Sequence, residues 1–543
     1  MEKPTTDSEQ VEQTHPSEPG HVPVAKTAGE LHGRAIQQAE FERSYWQTLR
    51  RDPWLMLWIA IMLWSLGVRG FENQASSSVI SIPVFKERFG EKQGDSWFIS
   101  TQWQSALNGG GNAAAIIGST VSSHFTDMIG AKPVLLAASL LNIASVAVEF
   151  SSTSIGMFFG GKMMNFVAIG ALQNVCTTYI AEVSPLAIRA SAIGFCNLAQ
   201  CIGPFICAIL SYYSAQWETQ WAWRALICAQ WGFGAVALCG QVFIPESPVF
   251  LVRKGRMEAA RKSLGRMYTL PSDADGHLER IKYTLEEAGT KQSGRYIDCF
   301  RGPNLRRTLI SILVFCSEPM AGLGFVGSYG ALMYQYLGIS SHRSFLLQIG
   351  AQILSMSGAT FALFISDFIG RRPNYVIGCA ALAALLLCMG ISGSVTTAAA
   401  TTASVGFYTM FNFFYNISVG STVYTLAGEL PTSALRAKSL AMSLNVSHAV
   451  NTMWSFVCPY IFNPDYGNLK AKIGFVFGGF MLIWAVLGYF WVPETRRRSY
   501  EELDELFMNH VPARQFRTYV TVAQRRAEEA LCEEKKVIEG ERA

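Results

Sequence analysis

Ionisable side chains interrupt long apolar runs, where charge is costly. Arg69 and Glu72 belong to Arg69–Gly70–Phe71–Glu72 inside one such run, and Lys162 stands inside another. A charged group within a bilayer costs a few kcal/mol unless it is paired or wet, so such residues mark ion or proton pathways. A carboxylate in that setting takes up or releases a proton as the local surroundings change. Arg69 and Glu72 are three apart and share a helical face, and a cation that close favours the ionised carboxylate. A proton carrier and a static salt bridge are therefore both open for Glu72. The polar segments offer no nucleophile–base pair, metal-ligand spacing or phosphate loop, and Gly109–Gly110–Gly111 falls inside an apolar run. We expect no enzyme activity, no cofactor, no metal site and no nucleic-acid partner.

A second set of charges is written twice. Glu182–Val183–Ser184–Pro185 with Arg189, then Pro245–Glu246–Ser247–Pro248, returns as Glu429–Leu430–Pro431 with Arg436, then Pro493–Glu494–Thr495. Asp127–Met128–Ile129–Gly130–Ala131–Lys132 returns as Asp367–Phe368–Ile369–Gly370–Arg371–Arg372. Glu182 and Glu429 stand 247 residues apart, Asp127 and Asp367 240. A solenoid repeats every 20–50 residues or so, so this period is far too long for one; it fits a membrane transporter of two similar halves.

The elements that hold these charges follow from composition. Of 543 residues, 50% are hydrophobic and only 15% charged, against about 25% in soluble proteins. The unit of organisation is the apolar segment of about 20 residues that spans a bilayer. Twelve are predicted, near 54–82, 99–123, 132–151, 155–180, 189–213, 221–243, 308–337, 344–366, 373–393, 402–427, 438–462 and 472–492. The fold class is all-α integral membrane, with twelve transmembrane helices in two pseudo-symmetric six-helix halves. Residues 1–52 read as a disordered cytosolic tail with a short amphipathic helix over 35–49. The halves are 53–244 and 308–492, the linker 245–307 carries short helices near 258–267 and 278–288, and a cytosolic tail occupies 493–543. Arg50, Arg51, Arg371, Arg372, Arg436, Lys438 and the basic linker fall on one side, which the positive-inside rule makes cytosolic, with both termini. The 12 cysteines lie mainly in apolar runs and suggest no disulfide framework, and Asn416–Ile417–Ser418 and Asn445–Val446–Ser447 are chance matches to a glycosylation pattern inside spans.

These features together resemble the major facilitator superfamily and, within it, the sugar porter family. Asp298–Cys299–Phe300–Arg301–Gly302, Pro459–Tyr460–Ile461–Phe462–Asn463–Pro464, Tyr500–Glu501–Glu502–Leu503 and Val511–Pro512–Ala513–Arg514 resemble its fungal α-glucoside (maltose-type) permease branch. The resemblance implies a cytosolic gate of Asp127, Lys132, Glu182, Arg189 and Glu246 in the first half and Asp367, Arg371, Arg372, Glu429, Arg436 and Glu494 in the second. Such charges pair when the protein faces outward and separate when it faces inward. Their rival role is a solvated rim, where exposed pairs contribute about 0–1 kcal/mol each. Met128 and Ala131 replace basic residues, so the first gate should hold less tightly.

The resemblance also makes Glu72 and Lys162 the proton-coupling pair, with Arg69 standing where the branch has a second acid. Sugar sites favour amides, which both donate to and accept from hydroxyls. Here Glu318 stands for the usual Gln, Leu323 for Asn and Pro204 for Gln. The substrate-binding set is Asn197, Gln200, Glu318, Tyr329, Asn412, Asn416, Tyr424 and Trp454, with Gln104 and Tyr334 nearby; for each, burial in a helix interface is the rival. The implied function is proton-coupled uptake of an α-glucoside or related sugar by alternating access, by a monomer in the plasma membrane whose partners are substrate, proton and lipid. The alternatives are a non-sugar metabolite moved either way, a uniporter, or a nutrient sensor, against which the short C-terminal tail counts.

Overall fold

The computed structural model describes residues 50–521, apart from 94–95, 291–295, 396, 433–434, 464–465, 497 and 499. The proposed amphipathic helix over 35–49 and the end of the C-terminal tail lie outside them, as do the side chains of Arg189, Asp367 and Arg436.

Among the described residues, twelve helical rods follow one another along the chain. In the first half they are Pro53–Ser81, Thr101–Ile129, Ala131–Phe150, Ile155–Val183, Leu186–Ser214 and Trp221–Phe243. In the second they are Pro303–Tyr336, Ser341–Ile369, Arg371–Ser392, Ala398–Glu429, Arg436–Phe462 and Ile473–Trp491. A 29-residue rod such as Ile155–Val183 rises about 43 Å, more than the hydrocarbon thickness of about 30 Å, so it tilts or projects beyond it. Among the described residues, nine rods are apolar and long enough to cross a membrane by length and composition. The second, tenth and eleventh are richer in Asn, Ser and Thr, some of which, such as Asn108, Asn112 and Asn416, meet the other half. Polar groups are tolerated at membrane depth when they face protein or water rather than lipid.

Three rods are discontinuous. The second contains a π-type turn over Ala106–Gly110. The seventh breaks after Pro319 at Gly322, whose φ of 81° is left-handed and where a Cβ would press on the Phe477 ring at 2.9 Å. The tenth breaks at Ser418, with φ −114° and ψ −85°. Breaks of this kind free backbone groups at the interface between repeats.

The repeat seen in the sequence is a repeat in space. Gly130 and Gly370 hold φ of 101° and 98° at the same turn of each half. Beside them Glu246 accepts hydrogen bonds from the Ala131 and Ser247 amides at 2.8 and 3.0 Å. Glu494 accepts from the Arg371 and Arg496 amides at 3.1 and 3.0 Å. Each carboxylate thus satisfies the exposed amides that begin the third and ninth rods, where negative charge is favoured.

Small residues set the closest rod crossings. A Cβ on Gly70 would collide with the Gln200 carbonyl, and one on Gly203 with the Gly67 carbonyl, so the first and fifth rods touch backbone to backbone. The linker helices Pro248–Arg253, Met257–Gly265 and Pro271–Thr290 fold under the first half, where Trp58 Nε1 donates to the Arg266 carbonyl at 3.2 Å. Helix Tyr500–Met508 packs under the second half, with Leu503, Leu506 and Phe507 in its core. A short antiparallel hairpin, Glu91–Gln93 against Ser96–Phe98, lies at the far end of the bundle from the linker.

Candidate functional site

Two polar centres occupy the interior. The first joins the first, third and fourth rods. Lys162 Nζ donates to Glu72 Oε1 and lies 2.9 Å from Glu149 Oε2. All three residues are essentially sealed, at 1%, 1% and 0% exposure for Glu72, Lys162 and Glu149. Ser76 adds a hydrogen bond to Glu72 Oε1 at 3.1 Å, and Asn165 donates to Glu149 Oε1 at 3.0 Å while Asn142 donates to Asn165 at 2.6 Å. Neither Glu72 Oε2 nor Glu149 Oε2 has a hydrogen-bond partner among the described residues. Glu72 and Lys162 are therefore brought together. Glu149 is the residue that sequence reasoning missed; the signal was an acid in the apolar stretch Ala147–Val148–Glu149–Phe150.

Arg69 does not pair with Glu72. It donates instead to Gln200 Oε1, the fifth-rod residue placed beside it by the Gly70–Gly203 crossing. There it belongs to the second centre, between the halves. Glu318, on the last turn before the break of the seventh rod, accepts a hydrogen bond from Tyr415 and feels the Arg69 charge. Tyr424 and His448 lie within electrostatic reach of Arg69 as well. Arg69, Asn197, Gln200, Glu318 and Asn412 are half-buried, and Tyr424 is 42% exposed, so the space between the halves opens toward the linker end. Asn197 and Asn416 meet across the halves at 3.5 Å, and Asn416 also donates to Ser355 at 3.0 Å.

The remaining candidates make contacts within the helix packing. Tyr329 is buried and accepts from Asn108 at 2.7 Å; Tyr334 bonds Thr409 at 2.9 Å; Gln104 donates to the Ile99 carbonyl and accepts from Asn463. Trp454 packs its ring on Phe477 and Phe480, and its Nε1 has no partner among the described residues. Polar bonds between the halves concentrate at the far end. They include Lys86 to Gln335 at 2.7 Å, Asn463 to Thr101 at 2.9 Å, Asn112 to Ser455 at 2.8 Å and Gln352 to Gln74 at 3.0 Å.

At the linker end, among the described residues, Arg253 pairs with Asp127 at 3.1 Å and Arg371 with Glu429 at 3.4 Å, each within one half. Ser247 donates to Glu182 and Thr495 to Glu429, a matched pair of contacts. Lys132 and Arg372 reach carbonyls at the ends of the sixth and twelfth rods, Val242 and Tyr489, both at 2.7 Å. Among the described residues, the polar bonds that join the halves gather toward the far end.

Two six-rod halves, discontinuous rods at their interface and ionisable groups at its centre define a secondary transporter of the major facilitator type. The family profile described as "Sugar (and other) transporter" matches residues 58–507, and the chain belongs to that family. A general alpha-glucoside permease of Saccharomyces cerevisiae is 28% identical over 487 residues, covering 87% of this chain and 78% of the permease. A maltose permease of the same yeast is 28% identical over 484 residues, with the same coverage. Among solved structures, a proton:xylose symporter bound to 6-bromo-6-deoxy-D-glucose superposes with a TM-score of 0.69 at 19% identity, covering 84% of this chain and 99% of that one. The inward-open xylose transporter of E. coli gives 0.66 at 19% identity, covering 83% and 99%. At these identities the structural likeness speaks to fold. The chain is a multi-pass sugar-porter-type transporter and not an enzyme.

Proposed function

We propose that this transporter carries an α-glucoside or related sugar into the cell with a proton, by alternating access. The observation that supports it most is the sealed contact of Glu72 with Lys162 between the first and fourth rods. A buried carboxylate on a buried ammonium is stable while both are ionised, and protonating it weakens the tie between the rods. Each turn of the cycle then links the tie to the state of the halves. The relatives are permeases for alpha-glucosides and maltose, which supports the sugar class. The linker end is the cytosolic end in this reading, so the conformation here faces the cytosol, with both termini inside and the plasma membrane as its location; the protein works as a monomer. Asp127, Lys132, Glu182, Arg189, Glu246, Asp367, Arg371, Arg372, Glu429, Arg436 and Glu494 act as the cytosolic gate.

Labelled maltose uptake in a host lacking hexose and maltose transport, at acidic and neutral external pH, tests this reading. Uptake driven by acid supports it; no uptake at either pH counts against it. A second reading has its own support. Arg69 and Glu318 put two opposite charges where hydroxyl partners are usual in sugar sites, which suits a substrate with an ionisable group. In that case sugar acids or amino sugars compete with uptake better than maltose, and Glu318→Gln or Arg69→Gln changes their order.

A further inference from the structure

Glu149 gives Lys162 a second counter-ion, and the count of charges in this sealed pocket has a consequence. Glu72 and Lys162 alone are neutral when both are ionised. With Glu149 the pocket holds two acids and one base, and all three side chains are out of contact with water. A net buried charge is expensive, and a lone buried ion more so. The bonding is uneven in a way that fits this count. Glu149 has a contact at each oxygen, a hydrogen bond from Asn165 to Oε1 and the Lys162 ammonium 2.9 Å from Oε2 as an ion pair, although Oε2 has no hydrogen-bond partner among the described residues. Glu72 has both of its contacts on Oε1, from Lys162 and Ser76, and its Oε2 has none among the described residues.

We propose that Glu149 is the standing counter-ion of Lys162 and thereby makes Glu72 the carboxyl that exchanges the proton. The loaded pocket is protonated Glu72 with ionised Glu149 and Lys162, which is neutral. Releasing the proton from Glu72 leaves a net charge of minus one, held by the single ammonium between the two carboxylates. Without Glu149, protonating Glu72 would strand a bare ammonium beside the Phe158 ring. The other groups facing the pocket do not replace Glu149. The sixth rod contributes the neutral Gln230, the third Asn142 and the fifth the Cys207 thiol. Arg69 of the first rod is turned to Gln200. Glu149 acts through Lys162 and is a positioning residue.

The inference rests on the proton-coupled reading and is separable from it. Maltose accumulation in proteoliposomes is measured against external pH for the wild type, Glu149→Gln and Glu149→Asp. The expected result is that Glu149→Gln moves the half-maximal pH of accumulation toward acid, with about a tenfold loss near neutrality, as a shift of one pH unit implies. Glu149→Asp keeps the wild-type profile to within a few-fold. A normal wild type beside a Glu149→Gln profile that does not move overturns the role of Glu149 alone. A wild type insensitive to pH overturns the coupled reading and this inference with it. Carbodiimide labelling needs neither substrate nor variant, because it marks protonated carboxyls in apolar surroundings. Mass spectrometry should find the label on Glu72 and not on Glu149; label on Glu149 instead overturns the assignment.

Discussion

Lys162 is the residue on which the first polar centre depends, because it neutralises acids from two other rods. Lys162→Met should leave two carboxylates buried without a cation. Removing one partner of a buried pair costs about 3–5 kcal/mol, so little folded protein should reach the membrane by fluorescence size-exclusion of detergent extracts. Glu72→Gln keeps the Lys162–Glu149 pair, should fold normally, and should lose accumulation against a gradient while still exchanging substrate across the membrane. Not all of this was legible in the sequence. Charges inside apolar runs pointed to Glu72 and Lys162 because their cost is a one-dimensional signal. Which partner each one finds is not. Arg69 and Glu72 share a helical face by spacing, yet Arg69 is drawn away by Gln200, which the Gly70–Gly203 crossing brings close. Likewise an Asn or Tyr that lines a substrate site and one that bonds the opposite half look alike in sequence, so ligand and helix-interface roles were both open for Tyr329 and Gln104, which here bond Asn108 and Asn463.

The rods themselves were visible because lipid demands a long apolar stretch from each, and their ends were visible where Gly, Pro or charge interrupts them. The folding of the linker under the first half and of 500–508 under the second was not visible, since both depend on surfaces made by other rods. The capped turns give a prediction at this scale. Gly130→Ala and Gly370→Ala would force a Cβ into left-handed backbone and against the Glu246 or Glu494 carboxylate at 2.7 Å. Each should cost about 1–2 kcal/mol, read as a lower Tm, with the two halves affected alike. A second prediction concerns the short far-end helix Pro83–Phe89. Burial pulls the Lys86 ammonium down to about 8 while it donates to Gln335. Between that value and its ordinary range the unfolded chain binds the proton more than the folded one does. Stability contributed here therefore rises as pH increases from about 8 toward 10.5, and is level below about 8, where both states hold the proton. Wild-type Tm should gain on that of Lys86→Met across this interval; parallel pH profiles would show that Lys86 is not buried as described.

At the scale of the whole molecule, the polar bonds that join the two halves among the described residues gather at one end. Each far-end hydrogen bond contributes about 0.5–1.5 kcal/mol net, so removing one should shift the balance between inward- and outward-facing states by about two- to tenfold. Asn463→Ala, which removes the bonds to Thr101 and Gln104, should therefore slow thiol labelling of Tyr424→Cys from the linker side. Unchanged labelling would mean that these bonds do not hold the far end shut. The doubled motif anticipated the two-half plan, and its Glu246 and Glu494 caps recur in three dimensions. Cargo was less legible, because it is set by a few side chains facing the cleft, and two of those are Arg69 and Glu318. The most direct measurement is simultaneous recording of labelled maltose and proton entry into proteoliposomes under an imposed pH gradient. The account predicts that sugar and proton enter together, that a protonophore collapses the accumulation, and that Glu72→Gln shows none. Equal sugar accumulation with and without the gradient, or in Glu72→Gln and wild type alike, would contradict it.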